Sequence, residues 1–293
     1  MSGPVQADAE VVAVRRAGAY HRLVLLAPAI AGSVRPGHFV ALAVGGPASS
    51  MLLRRAFSVH RAEERGRSGG TVEVVLAVHG PGTAWLAERR PGDRVDVIGP
   101  LGKPFALPRE PVACVLVGGG YGAAPLASLA EGLRARGCAV HTVLGAATAD
   151  RLFGVLEAKR ISDSLEVTTD DGSAGRNGIV SDILPDLLTR TRSEVVYACG
   201  PMGMLAEVAR IAAAHGAHSQ CAVEETMACG IGVCMTCVLP VVGTDGVTRM
   251  VRACVDGPVF RGDAVRWADV GTVPTDALGA PVGPLAPVTG GLR

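Results

Sequence analysis

Aromatic side chains are scarce in this sequence: Phe, Tyr and Trp together make up only 3% of its 293 residues. Its cores must therefore be packed from Val, Leu and Ala, which a hydrophobic content of 48% supplies. An excess of either charge is missing too. The formal net charge is +1, so neither a basic footprint for nucleic acid nor a strongly acidic face is expected. Apolar stretches such as Val112–Val117 fall far short of the roughly 20 residues a membrane-spanning helix needs. A basic start followed by an apolar core is absent from Met1–Glu10, so an export signal is not expected and a cytoplasmic location is. Eight cysteines in such a chain argue for metal binding rather than a disulfide framework.

Turn chemistry is abundant instead. Gly (39) and Pro (19) are plentiful, as suits tight turns and cofactor sites lined by backbone. Over the first hundred residues the short runs Glu10–Val14, Arg22–Leu26, His38–Val44, Thr71–Val78 and Arg94–Ile98 are separated by turns such as Arg35-Pro36-Gly37. This spacing predicts a small antiparallel barrel or sandwich, interrupted by one helix from Thr83 to about Arg89. The period then changes. Strand Val112–Val117 leads through Gly118-Gly119-Gly120 into a helix over Ala123–Arg136. Strands Ala139–Leu144 and Leu165–Thr169, helix Ile179–Leu188, strand Val195–Cys199, helix Met202–His215 and strand Ser219–Val223 follow. Strands alternating with helices predict a parallel α/β sheet. The expected fold is mixed: an antiparallel β-barrel domain over 1–107, an α/β parallel-sheet domain over 108–222, and a small cysteine-rich unit over 223–268. The remaining segment, 269–293, reads as a loosely ordered tail.

Four cysteines are bunched. Cys229, Cys234 and Cys237 stand as C-x4-C-x2-C, with sixteen residues between Cys237 and Cys254, the plant-type [2Fe–2S] spacing. Two irons need four thiolates, and Gly230 and Gly232 let the loop turn backbone N–H groups toward the cluster sulfurs. Structural zinc is the alternative, but such sites usually pair cysteines as C-x2-C twice, and one such pair exists here.

Three further motifs carry chemistry only in combination. Arg55-Ala56-Phe57-Ser58 offers a guanidinium for a pyrophosphate and a hydroxyl for a flavin ring; alone it is equally a solvated Arg beside a core Phe. Gly80-Pro81-Gly82-Thr83 opens a helix whose N–H groups can bind phosphate, and Thr83 can equally be a cap. Gly118-Gly119-Gly120-Tyr121-Gly122 sits between strand and helix, where a dinucleotide-binding turn belongs. Cys199-Gly200-Pro201-Met202 ends a later strand of the same sheet, so both would face one crevice. A Cys199 thiol there would touch a nicotinamide, although a lone Cys is more often a small core residue.

Together these motifs resemble the ferredoxin-reductase superfamily. The run Glu224-Glu225-Thr226-Met227-Ala228-Cys229-Gly230-Ile231-Gly232-Val233-Cys234, closed by Cys254-Val255-Asp256-Gly257-Pro258-Val259-Phe260, resembles more narrowly the electron-transfer subunit of the NAD-dependent dihydroorotate dehydrogenases. The resemblance covers roughly residues 8 to 265. It implies FAD held by Arg55, Ala56, Phe57, Ser58, by backbone groups of Val75, Leu76 and Ala77, and by Gly82 and Thr83. It implies a cluster on Cys229, Cys234, Cys237 and Cys254, and NAD along Gly118, Gly119, Gly120, Gly122, Gly200 and Pro201. The implied partner is an FMN-containing dihydroorotate dehydrogenase catalytic subunit, in a dimer of heterodimers serving pyrimidine biosynthesis. Tyr121 departs from the small aliphatic residue usual at its position, and Lys103-Pro104 from the usual Asn-Gly. NAD is expected over NADP, since Gly145-Ala146-Ala147-Thr148-Ala149 carries no Arg, although Arg151 lies close by. The rivals are a flavin subunit of a hydrogenase, a ferredoxin:NAD(P) reductase, and a non-enzymatic, metal-stabilised binding protein.

Overall fold

In the computed structural model residues 3–46, 49–65 and 69–281 are described. Apolar-polar alternation builds the first layer. β1 (Val5–Ala17), β2 (Tyr20–Leu26), β3 (Phe39–Leu42), β4 (Arg55–Arg65), β5 (Gly69–Leu76) and β6 (Arg94–Leu101) close into a barrel in the order β1-β2-β5-β4-β3-β6, and every pairing is antiparallel. Alternate residues such as Leu23, Leu25, Val72, Val74, Val95 and Val97 fill its interior. The short helices α1 (Pro28–Ala31) and α2 (Pro81–Ala87) add Ile30 and Leu86 to the same core.

The parallel-sheet domain carries β7 (Ala113–Gly119), α3 (Leu126–Ala135), β8 (Ala139–Ala146), α4 (Val155–Ile161), β9 (Ser164–Thr169), β10 (Arg176–Asn177), α5 (Leu184–Thr191), β11 (Val195–Cys199), α6 (Met202–Ala214) and β12 (His218–Ala222). Next come a two-stranded ribbon, β13 (Val238–Val242) and β14 (Thr248–Arg252), the one-turn helix α7 (Ala253–Asp256), and β15 (Val259–Arg261). The sheet order is β10-β9-β8-β7-β11-β12-β15, with β15 antiparallel to β12. From β7 the chain moves outward through β8 and β9, then crosses back to β11. That reversal leaves a crevice beyond the carboxyl ends of β7 and β11, where such sheets bind ligands. Residues of β7 alternate between the two faces: Cys114 and Leu116 pack with α3, Val115 and Val117 with α5 and α6.

Several elements differ from expectation. β4 runs on to Arg65, where Arg55–Ser58 looked like a strand edge; its charged residues blur the alternation, and Val59 is its only fully enclosed hydrophobic. α4 was not expected, being only seven residues long with Lys159 and Arg160 in its last turn. The glycine-rich turn winds through a 3-10 turn, Gly120–Ala123, before α3 starts at Leu126. The stretch Ile179–Leu188 divides into a 3-10 turn and α5. The cysteine-rich unit is tied to both larger parts. Cys237, Leu239, Ala253 and Cys254 share a core with Phe39 and Leu101 of the barrel and with Phe260 of β15. The segment expected as a loose tail is pinned in its first part: the Leu278 N–H donates to the Thr248 carbonyl at 2.8 Å, and Arg266 pairs with Asp276 at 2.6 Å. Residues 282–293 lie outside the described residues. No helix among the described residues is long and apolar enough to cross a membrane.

Candidate functional site

Barrel and sheet meet along a cleft of ≈ 340 Å³. Its barrel wall is Ala56, Phe57 and Ser58 of β4, Val75 and Ala77 at the end of β5, and Thr83 of α2. Leu76 points the other way, fully buried in the barrel core, as strand alternation requires. Arg55 lies against the first turn of α2: a Cβ on Gly82 would stand 3.1 Å from the Arg55 Nε. One guanidinium donor is engaged with the Leu53 carbonyl at 2.6 Å, and among the described residues no carboxylate pairs with it. A guanidinium beside a helix N-terminus suits a pyrophosphate. The Thr83 hydroxyl is spent on its own turn, donating to the Gly80 carbonyl and accepting from the His79 and Gly80 N–H groups. It fixes the turn that opens α2.

A second cleft, ≈ 480 Å³, opens at the reversal of the sheet. Gly119 and Gly120 from the β7 turn and Pro201 from the β11 turn line it. Gly118 lies beneath, and Gly122 packs against the Cys199-Gly200 backbone, where an added Cβ would stand 2.7 Å from the Gly200 Cα. Arg151, which the sequence placed close by, lines this cleft too, and sequence reasoning missed Thr168, Asp170, Ser181 and Tyr20, which do so as well. The available signal was position: Thr168 and Asp170 stand at the carboxyl end of β9, beside the predicted crevice.

The two clefts share a wall. Tyr121 and Glu224 line both. Tyr121 packs edge-on against Tyr20, ring centroids 5.5 Å apart. Burial pushes the Glu224 carboxyl above its ordinary range, and burial, reinforced by Glu224, raises the Tyr121 phenol. Cys199 does not line either cleft. It is 3% exposed in the core with Leu116 and Ala222, and burial drives its thiol far up. The geometry brings it to the back of the glycine turn, not to a reacting surface.

From Glu224 the chain runs through Thr226 and Met227, which line the first cleft, directly to Cys229. The cysteines stand as two pairs. Cys229 accepts the Cys234 N–H at 3.5 Å and the Val233 N–H at 3.4 Å. Cys237 and Cys254 are both buried and adjoin each other. Cys234 is exposed, and the Thr236 hydroxyl donates to its sulfur at 3.2 Å, pulling its thiol down to about 6. Among the described residues no three His, Cys, Asp or Glu side chains converge on one metal ion. Four thiols in two pairs suit two irons, each taking one pair, better than a single tetrahedral zinc.

Comparison with known proteins agrees. Residues 224–266 match the family model described as the iron-sulfur cluster binding domain of dihydroorotate dehydrogenase B. The electron transfer subunit of dihydroorotate dehydrogenase B (NAD(+)) from Geobacillus thermodenitrificans is 38% identical over 247 residues, 84% of this chain and 92% of that protein. The solved structure of an NADH-dependent reduced ferredoxin-NADP oxidoreductase, described for flavin-based electron bifurcation, superposes with a TM-score of 0.77 at 34% identity, covering 90% of this chain and 91% of that one. A ferredoxin NADP+ reductase from Neisseria gonorrhoeae with bound FAD and NADP shares the fold, with a TM-score of 0.58 at 18% identity over 72% of this chain and 92% of its own. The barrel, the sheet and the cysteine loop, matched across most of their length, place this chain in the family of the electron-transfer subunits of the NAD-dependent dihydroorotate dehydrogenases B.

Proposed function

We propose that this chain carries electrons between NAD(H) and an FMN-containing dihydroorotate dehydrogenase catalytic subunit, in the cytoplasm and as a dimer of heterodimers. One observation carries the reading: nicotinamide cleft, flavin cleft and cysteine loop are contiguous, joined by Tyr121 and by the segment Glu224 to Cys229. Arg55 and the first turn of α2 would hold the pyrophosphate of FAD, with Ala56 to Ser58, Val75 and Ala77 along its ring. Cys229, Cys234, Cys237 and Cys254 would hold a two-iron cluster. When bound, the flavin supplies the exchange between two-electron and one-electron chemistry that a nicotinamide and an iron–sulfur centre require of each other. The residues themselves bind and orient. No general acid or base is needed for the transfer.

Anaerobically purified chain should contain about one FAD and two irons, and NADH should bleach both absorptions. Stoichiometric zinc without acid-labile sulfide would defeat the reading. A second reading, a ferredoxin-NADP oxidoreductase, is favoured by the 34% identical structure described for flavin-based electron bifurcation. Dihydroorotate-driven reduction in a complex separates the two.

A further inference from the structure

The wall between barrel and sheet holds a group of partly exposed charges around a buried histidine that neither cleft uses. His60 of β4 is 1% exposed. Its Nδ1 lies 2.6 Å from the Ala124 carbonyl, two residues beyond Gly122. A carbonyl only accepts, so this Nδ1 carries a hydrogen. The other nitrogen, Nε2, faces Glu157 Oε2 of α4 at 3.5 Å and Glu73 Oε1 of β5 at 3.9 Å. His60 Nε2 and Glu157 Oε2 are both buried without a hydrogen-bond partner. Arg22 of β2 pairs with Glu73 and stands 3.6 Å from Glu157. Arg61, the next residue of β4, crosses to Glu131 of α3 at 3.1 Å. The Phe153 ring closes the pocket edge-on at 5.2 Å.

With a neutral imidazole, a bare lone pair faces two carboxylates, and two buried atoms are orphaned. With a proton on Nε2, both orphans are satisfied, and two positive groups, Arg22 and His60, balance Glu73 and Glu157. Leaving buried polar atoms unpaired is costly, so the contact of Nε2 with Glu157 matters to both parts. It also joins two bodies. Ala124 follows the glycine-rich turn, and Glu157 ends a segment whose other end is held by the barrel hairpin. There the Ala19 N–H donates to the Asp150 carbonyl at 3.0 Å, and the Tyr20 hydroxyl donates to the Arg151 carbonyl at 2.8 Å. Arg151 lines the nucleotide cleft.

We infer that His60 is a positioning residue: reaching the Ala124 carbonyl with one ring nitrogen and Glu157 with the other, it fixes the glycine-rich turn and the 148–157 segment against the barrel, and so sets the distance from nicotinamide to flavin. The inference rests on NADH being the reductant of the flavin. Misplacement near 1 Å can cost up to about a hundredfold in rate. Stopped-flow reduction of the FAD- and cluster-loaded chain by NADH reads this out, with dithionite, which needs no nicotinamide alignment, as the control. His60→Leu should lower the limiting NADH-driven rate by about tenfold or more, shift KM less, and leave cofactor content and dithionite reduction unchanged. His60→Asn, which keeps a donor near Nδ1 but not the reach to Glu157, should fall between. Should His60→Leu fail to fold, Glu157→Gln removes the opposing charge and should lower the same rate. Rates equal to the parent's would overturn the inference, as would 15N spectra showing no hydrogen on the His60 Nδ1. A parent reducible by dithionite but not by NADH would instead overturn the functional reading, and the 15N assignment would still test His60.

Discussion

At the scale of single residues, contacts decide which members of a motif have chemistry. Gly122 is required by space: an added Cβ would press on the Gly200 backbone at 2.7 and 2.9 Å and on the Cys199 carbonyl at 2.9 Å. Backbone cannot step aside as a flexible side chain would, so the cost of overpacking, about 1–3 kcal/mol, applies. Gly122→Ala should therefore lower thermal stability and slow reduction by NADH, while dithionite still reduces the flavin. An unchanged NADH rate would contradict the close packing of the two turns. Arg55→Ala should release FAD, measured by its fluorescence in the ultrafiltrate, with the iron content intact. Retention of FAD at parental affinity would show the pyrophosphate to be held elsewhere. Nucleotide choice also belongs here. Asp170 lines the cleft with Arg151, and its carboxylate opposes a 2′-phosphate, so kcat/KM should be higher for NADH than for NADPH. Kinetics in the reverse order would refute this.

The cysteine loop and its flanking elements form the next scale. The loop depends on Gly232, whose φ is +86 and whose added Cβ would meet a Val255 methyl at 2.5 Å. Its carbonyl accepts from Arg252 Nη1 at 2.9 Å, tying the loop to the end of β14. Cys254, on the one-turn α7, completes the buried pair. Cys254→Ser should lose the cluster and keep FAD, because Arg55 and α2 lie in the barrel. Loss of both cofactors from a folded variant would contradict that division. The cysteine spacing and the glycine turn were legible in the sequence because a fixed local separation is itself the signal. β4 and α4 were not, since charge on one and brevity in the other erase the periodicity that reveals an element. His60 was illegible for a different reason. Its partners Arg22, Glu73, Ala124 and Glu157 come from four elements and loops far apart in the chain, and only the closed structure assembles them.

On the scale of the whole molecule, the order of the parts is the functional statement. The strand reversal opens the cleft proposed for the nucleotide, Tyr121 and Glu224 stand between it and the cleft proposed for the flavin, and the chain leaves the latter straight into the cysteines. The far side of the cysteine loop turns outward: Ile231 is 49%, Val233 76% and Met235 52% exposed. An apolar rim around a one-electron centre suits a protein partner. The sequence made the barrel, the sheet and their order readable, while the sharing of a wall between clefts depended on side chains brought together by folding. The central claim is that electrons run from dihydroorotate through a partner to NAD+ by way of this chain. Coexpression with an FMN-containing dihydroorotate dehydrogenase subunit, gel filtration and a dihydroorotate:NAD+ assay test it directly. The account predicts a stable complex that reduces NAD+ with dihydroorotate, while this chain alone passes electrons from NADH only to artificial acceptors. A chain that does not associate and brings no such activity, yet exchanges electrons between ferredoxin and a nicotinamide, would contradict it.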